Sequence, residues 1–302
     1  MRTIFTISKS SNHFFFVQNL SGWHFSSRES YNKQWLLDGG PLNADESKAL
    51  ALLGNVLKKY EFHDTGCPEA SKEDAQIINT ILNVMEPRFD KLWQKEKVKL
   101  EVSREKIEKA FLKNKEVIIS NLERLFEGTQ KVNHMEVSLL LSTGKYGGGG
   151  GANSGPNKVT LECSSLEQQY INNKLAILWH EITHIYLETF TDKTIDIMLL
   201  NYKETKNDLK ELVTYSVFTD MSYLTSKYFP TEIGNMLTRA VEQNNYDWLN
   251  TAYCGKYPMV IIYDIGLFIK NMDTTNKCIA PKNMAEAILN SIEKLKGYKI
   301  LN

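Results

Sequence analysis

The rhythm of apolar and polar positions changes several times along the chain. Residues 3–40 mix β-branched and aromatic side chains with Ser, Asn and Gly, in runs such as TIFTI, HFFFVQ and GWHF. That texture predicts short strands and loops. Asp38-Gly39-Gly40-Pro41 is a strong turn signal. From Asn43 to Gly128 apolar residues recur at helical spacing. ADESKALALLGNVLKKY begins acidic and ends in lysines, the polarity a helix dipole favours. SKEDAQIINTILNVMEPRF opens with a capping-box-like Ser71 and Asp74, spaces Ile77, Ile78, Ile81 and Leu82 for a helix, and ends its pattern near Pro87. The charged stretch from Lys91 to Phe126 predicts one or two solvent-facing helices.

Beyond it the period shortens. VNHMEVSLLL, Val132 to Leu141, reads as a strand, and KVTLEC, Lys158 to Cys163, as a second. Between them GKYGGGGGANSGP, Gly144 to Pro156, is a glycine-rich loop, so the pair predicts a hairpin with a long tip. The glycine run satisfies GxGxxG by composition alone. No βαβ unit precedes it, and a hairpin tip is a better reading than a phosphate loop. Ser164-Ser165-Leu166-Glu167 forms a capping box for a helix running to about Phe190. A polar stretch follows, then helices over Asp208 to Tyr228 (stopped by Pro230), 231–250, 258–271 and 283–296. The expected fold class is α+β, mainly helical, with residues 1–130 forming a mostly helical N-terminal region and 131–302 a second domain.

Composition narrows the function more than the fold. The 302 residues are enough for one or two domains, and with 42% apolar and 24% charged residues the chain is ordinary globular material. Lys plus Arg and Asp plus Glu both total 36. That balance supplies no electrostatic footprint for nucleic acid or an anionic membrane. Cys67, Cys163, Cys254 and Cys278 are scattered without a CxxC, which argues for reduced thiols rather than a disulfide framework. The N-terminus breaks at Ser8 to Asn12 and has no continuous apolar core of a signal peptide. No run is long enough to span a bilayer. A cytoplasmic location is the expectation, with signal-independent secretion as the alternative.

The chemistry concentrates in LAILWHEITHIYLE. His180 and His184 stand at i and i+4 on a helix, about 40° apart around the axis and about 6 Å along it, so both rings project from one face. Two imidazoles so placed can grip one zinc ion at ~2.0–2.1 Å. Glu181 is rotated by about 100° from His180, near the ion without being forced to ligate it. Burying two imidazoles and a carboxylate among Leu175, Ile177, Leu178, Trp179, Ile182, Ile185 and Leu187 demands a partner for them.

His180-Glu181-Ile182-Thr183-His184 is the HExxH arrangement, and the segment from about 130 to 225 resembles the zincin metallopeptidases. The resemblance implies a small sheet plus the HExxH helix, an edge strand that binds extended peptide, zinc as cofactor and Glu181 as general base. Where metzincins carry a glycine and a third histidine, this chain has Leu187 and Phe190, and no histidine follows His184. The third ligand is therefore expected to be a carboxylate, as in gluzincins. Glu211 is preferred over Glu204, because DLKELVTYSVFTD offers an apolar wall and NYKETKNDLK does not; Glu188 ranks third. Tyr263 is favoured over Tyr215, Tyr253 and Tyr257 as an oxyanion donor. Thr183 and Asp220 are candidates for orienting ligands, and His134 for facing substrate. The implied activity is hydrolysis of a peptide or protein substrate. The alternatives are a zinc hydrolase of a non-peptide amide, or a non-catalytic interaction protein whose HExxH helix is structural.

Overall fold

A computed structural model describes residues 1–23, 29–61, 63–142, 149–152, 155–163, 170–200, 204–245, 249, 252–254 and 257–297. The chain is mainly helical with a small mixed sheet, and it falls into two compact units. The first comprises Met1–Lys109 and Asn133–Ile171; the second comprises Ala110–Val132 and Asn172–Asn302. This division differs from a single boundary at 130. The strands expected beside the motif helix belong to the first unit, whereas the motif itself belongs to the second.

In the first unit, β1 (Arg2–Thr6), β2 (His134–Leu140), β3 (Gly150–Gly151) and β4 (Lys158–Glu162) form a sheet in the order β1-β2-β4-β3. The expected hairpin is not what forms. β2 and β4 run parallel, with Val137 opposite Val159 and Leu139 opposite Leu161, and only the short β3 is antiparallel to β4. Parallel neighbours cannot be joined by a tight turn, and among the described residues between them β3 lies on the far side of β4. The sequence carries the physical hint. β2 and β4 are buried almost continuously rather than at alternate positions, as strands covered on both faces are.

HFFFVQ is helical rather than extended. It lies in α1 (Lys9–Leu20), capped by Ser8, whose side chain accepts from the Ser11 N–H. The run misleads because Asn12, Gln18 and Asn19 are buried along with Phe14 to Val17, so no polar face marks the helical period. Asn12 is held by hydrogen bonds: its Nδ2 donates to the Leu139 carbonyl at 3.0 Å and its Oδ1 accepts from Leu141 N–H at 2.7 Å. α2 (Glu29–Gly39) follows and ends at the expected turn, where Gly40 adopts φ 73°. A Cβ at Gly39 would run into the Arg88 guanidinium, so a side chain there would force Arg88 to move. α3 (Ala44–Leu57) carries a complete capping box between Asn43 and Glu46.

α4 is one continuous helix, Lys72–Leu125, and contributes to both units. Its start matches the expected cap, with Asp74 N–H donating to Ser71 Oγ at 3.1 Å. Pro87 does not end it. Proline inside a helix removes one hydrogen bond and costs about 3 kcal/mol, but burial of Met85, Phe89, Leu92 and Trp93 on one face outweighs that locally.

The second unit is built from α5 (Ile171–Tyr186), α6 (Glu188–Leu199), α7 (Lys206–Val217), α8 (Tyr223–Tyr228), α9 (Glu232–Glu242), α10 (Met259–Thr274) and α11 (Pro281–Gly297), with a two-stranded ribbon of β5 (Ala252–Cys254) and β6 (Tyr257–Pro258). The helix expected to reach Phe190 divides at Leu187, and the one expected over 208–228 divides at Phe218. The polar segment from Thr191 is the helix α6, with Phe190, Ile195 and Met198 buried. The expected cap at 164–167 lies outside the described residues. Among the described residues, no helix is long and apolar enough to cross a membrane.

Candidate metal centre

The motif occupies the last turns of α5. Leu175, Leu178, Trp179 and Ile182 bury one side of that helix, leaving His180 and Glu181 at its edge but still covered, at 8% and 7% exposure. Trp179 is clamped in a stack, with its ring 5.2 Å from Phe111 and 5.8 Å from Phe218. Phe218 closes the C-terminus of α7, so the stack ties the motif turn to that end of the helix. At its other end, α7 is capped by Thr205, which accepts from Asp208 N–H, and Leu209, Leu212 and Val213 are its buried apolar positions before Thr214.

This pairing brings three ligand atoms together. The Nε2 atoms of His180 and His184 lie 3.1 Å apart. Glu211 sets one carboxylate oxygen 3.6 Å from His180 Nε2 and the other 3.5 Å from His184 Nε2. Donors placed ~2.0–2.1 Å from a tetrahedral ion are separated by about 3.3–3.4 Å, close to the spacing of the two imidazoles and to that of each imidazole from the carboxylate oxygen it faces. Among the described residues this is the cluster of His, Cys, Asp and Glu whose ligand atoms all lie within 4.8 Å of one another. The two imidazole side chains are 10% and 11% exposed, whereas that of Glu211 is 45% exposed. The cluster therefore has a solvent-facing side, as a site with a free coordination position must.

The outer nitrogens of both rings are also held. His180 Nδ1 faces the Phe218 carbonyl at 3.1 Å, and His184 Nδ1 faces Thr214 Oγ1 at 3.5 Å. The Tyr215 ring packs against His180 at 4.5 Å between centroids. Glu211, Thr214, Tyr215 and Phe218 thus stand at i, i+3, i+4 and i+7, one face of a helix applied to the motif turn.

Electrostatics follow from this crowding. Burial disfavours the charged ring of His180, yet Glu211, Glu181 and the Phe218 carbonyl hold its pKa above the ordinary value. His184 moves the opposite way, lowered by burial and by His180 beside it, with Glu211 opposing. Burial likewise works against ionised Glu211, but the two histidines facing its oxygens drive its pKa far below the usual carboxylate range. The three groups compete for one positive charge, which is also the electrostatic specification of a cation site.

The other candidates sit elsewhere. Glu204 immediately precedes the cap of α7 and is not in the cluster. Glu188 is exposed at the start of α6 and accepts from Gln130 Nε2 at 3.4 Å. Tyr263 is half-buried against the apolar group of Met221, Leu237, Met259 and Ile262; it is Tyr215, packed on the same group, whose ring meets His180. The side chain of Tyr253 lies outside the described residues, and Tyr257 is buried. Thr183 Oγ1 donates to its own helix, to the Trp179 carbonyl at 2.6 Å. The Nδ1 partners are Phe218 and Thr214, not Thr183 or Asp220. His134 is exposed at the start of β2 in the first unit. Neither Thr214 nor the Phe218 carbonyl is marked by a sequence motif. Their spacing from Glu211 is the signal that would have found them.

Comparison with protein-family models, curated proteins and solved structures finds no match for this chain.

Proposed function

We propose that the chain is a zinc-dependent peptidase of the gluzincin kind, with His180, His184 and Glu211 as metal ligands and Glu181 as general base. The observation that carries this reading is the convergence of two imidazoles and the Glu211 carboxylate, with ligand atoms within 4.8 Å of one another, beside a buried glutamate. The three ligands fit the group: two imidazoles whose outer nitrogens are already occupied, and one carboxylate kept ionised. When bound, zinc lowers the pKa of a water towards ~7 and polarises a carbonyl. The rest falls to the protein. Phe218 and Thr214 keep the two rings aimed inward, and the Trp179 stack holds the turn that carries them. Glu181 adjoins His180 closely enough to raise its pKa, and its carboxylate takes a proton and returns it to the leaving amine. Tyr215 walls the His180 side, and Tyr263, favoured from sequence as the oxyanion donor, packs in the same apolar group.

The test combines metal analysis of the purified chain with cleavage of a peptide library. One zinc per chain with chelator-sensitive cleavage supports the reading. One zinc per chain without peptide cleavage turns it towards a different amide substrate. A chain that takes up no zinc overturns it.

A further inference from the structure

We propose that Thr214 is the positioning residue that makes His184 a metal ligand, by fixing which of its nitrogens carries the proton. The inference rests on the metal-site reading. An imidazole that ligates through Nε2 must hold its proton on Nδ1 and give it to an acceptor. His180 has an unambiguous acceptor, because the Phe218 carbonyl has no proton to donate. His184 faces a hydroxyl, which can act either way, so the direction has to be set by something else.

It is set by Lys210. Thr214 is fully buried, and its single hydroxyl proton goes to the Lys210 carbonyl at 3.0 Å, one turn back along α7. Only an oxygen lone pair is left for His184 Nδ1. The ring must then donate from Nδ1 and leave Nε2 bare on the side where His180 Nε2 and Glu211 lie. Were the hydroxyl to turn and donate to Nδ1, the proton would sit on Nε2 and the ligand would be lost. A threonine bonding back to its own helix is ordinarily a local curiosity. Here it is one end of a relay from Lys210 through Thr214 to His184. Glu211 lies three residues before Thr214 on the same helix, so ligand and orienter are carried by one rigid element.

The experiment compares wild type with Thr214→Ser, Thr214→Ala and Thr214→Val, titrated with zinc against a competing chelator. Far-UV spectra and melting of the metal-free proteins verify folding. Losing such an outer-sphere hydrogen bond typically weakens metal binding 10- to 100-fold, so the Ala and Val variants are expected to bind zinc about 10 to 100 times more weakly. Thr214→Ser, which keeps the hydroxyl, is expected to stay close to wild type. Imidazole nitrogen NMR of the metal-free chain supplies a second readout: His184 carries its proton on Nδ1 in wild type and Ser, and divides between the two nitrogens in Ala and Val. The Ser and Ala variants differ by the hydroxyl alone, so their ratio decides the matter even if Val does not fold. Equal zinc affinity in Ser and Ala overturns the role of Thr214 while leaving the metal site intact. A wild type that binds no zinc overturns the metal site and this inference together.

Discussion

His180 and His184 bring their Nε2 atoms to 3.1 Å with their rings crossed at 86°. Two bare lone pairs at that distance would repel, so a proton held between the two nitrogens, or an ion shared with Glu211, satisfies the pair. Metal binding should therefore displace a proton and stabilise the fold. For a ligand that binds only the native state, an excess of 100 times its Kd adds about 2.7 kcal/mol. Calorimetric melting with and without zinc should show a rise in Tm in wild type and Glu204→Ala, and none in Glu211→Ala. A zinc-dependent rise in Glu211→Ala equal to that of wild type would remove Glu211 from the coordination sphere.

Glu181 is separable from the proposed ligands. It is buried beside His180, and the cluster of three does not include it. Glu181→Gln keeps the shape and loses the base. It should bind zinc as tightly as wild type while cleaving peptide about 10²- to 10⁴-fold more slowly, the usual contribution of a general base. Loss of zinc in this variant would make Glu181 a ligand instead.

The site was legible where chemistry is dense in few residues. HExxH declares its geometry in five positions, and the apolar wall of DLKELVTYSVFTD was enough to choose Glu211 over Glu204. Thr214 was invisible because a threonine within a helix acquires a role only when the facing element is known. The misread elements failed for equally physical reasons. HFFFVQ has strand composition and no exposed polar face, because the polar residues interleaved with it are buried too. β2 and β4 were paired correctly but in the wrong direction, since a glycine-rich connection suggests a turn and says nothing of a crossover. The helix expected to end near Pro87 and the one or two expected over Lys91–Phe126 are a single helix, because packing overrides the local chemistry of the proline.

That last difference is measurable. Pro87 is exposed inside α4, so alanine there introduces no clash and restores one backbone hydrogen bond. Pro87→Ala should stabilise the chain by about 1–3 kcal/mol, up to the full helical penalty of proline. Urea denaturation decides it. A destabilised variant would mean that the neighbours of Pro87 are packed around a bend that the proline itself creates.

The final prediction concerns pH. Arg88 and Glu46 form a buried pair, 7% and 10% exposed at the side chain, with Nε 2.9 Å from Oε1 and Nη2 2.8 Å from Oε2. Arg88 also donates to the Gly40 and Pro41 carbonyls, and Glu46 accepts from Asn43 N–H at 2.8 Å. The hydrogen bond from Arg88 is the main reason the Glu46 pKa lies below its usual 4.5, against a smaller opposing effect of burial. A carboxylate depressed in the folded state contributes stability that is fully present above its unfolded value. That contribution is lost as pH falls from about 4.5 through the lower folded value. Glu46→Ala should cost about 3 kcal/mol at neutral pH, the low end for breaking a buried pair, because Arg88 keeps both carbonyls. It should also flatten the fall in stability below pH 4.5, where wild type and variant converge. Denaturant midpoints measured from pH 7 to pH 3 check both points, and a gap between the two proteins that stays constant across that range would show that Glu46 does not act through its charge.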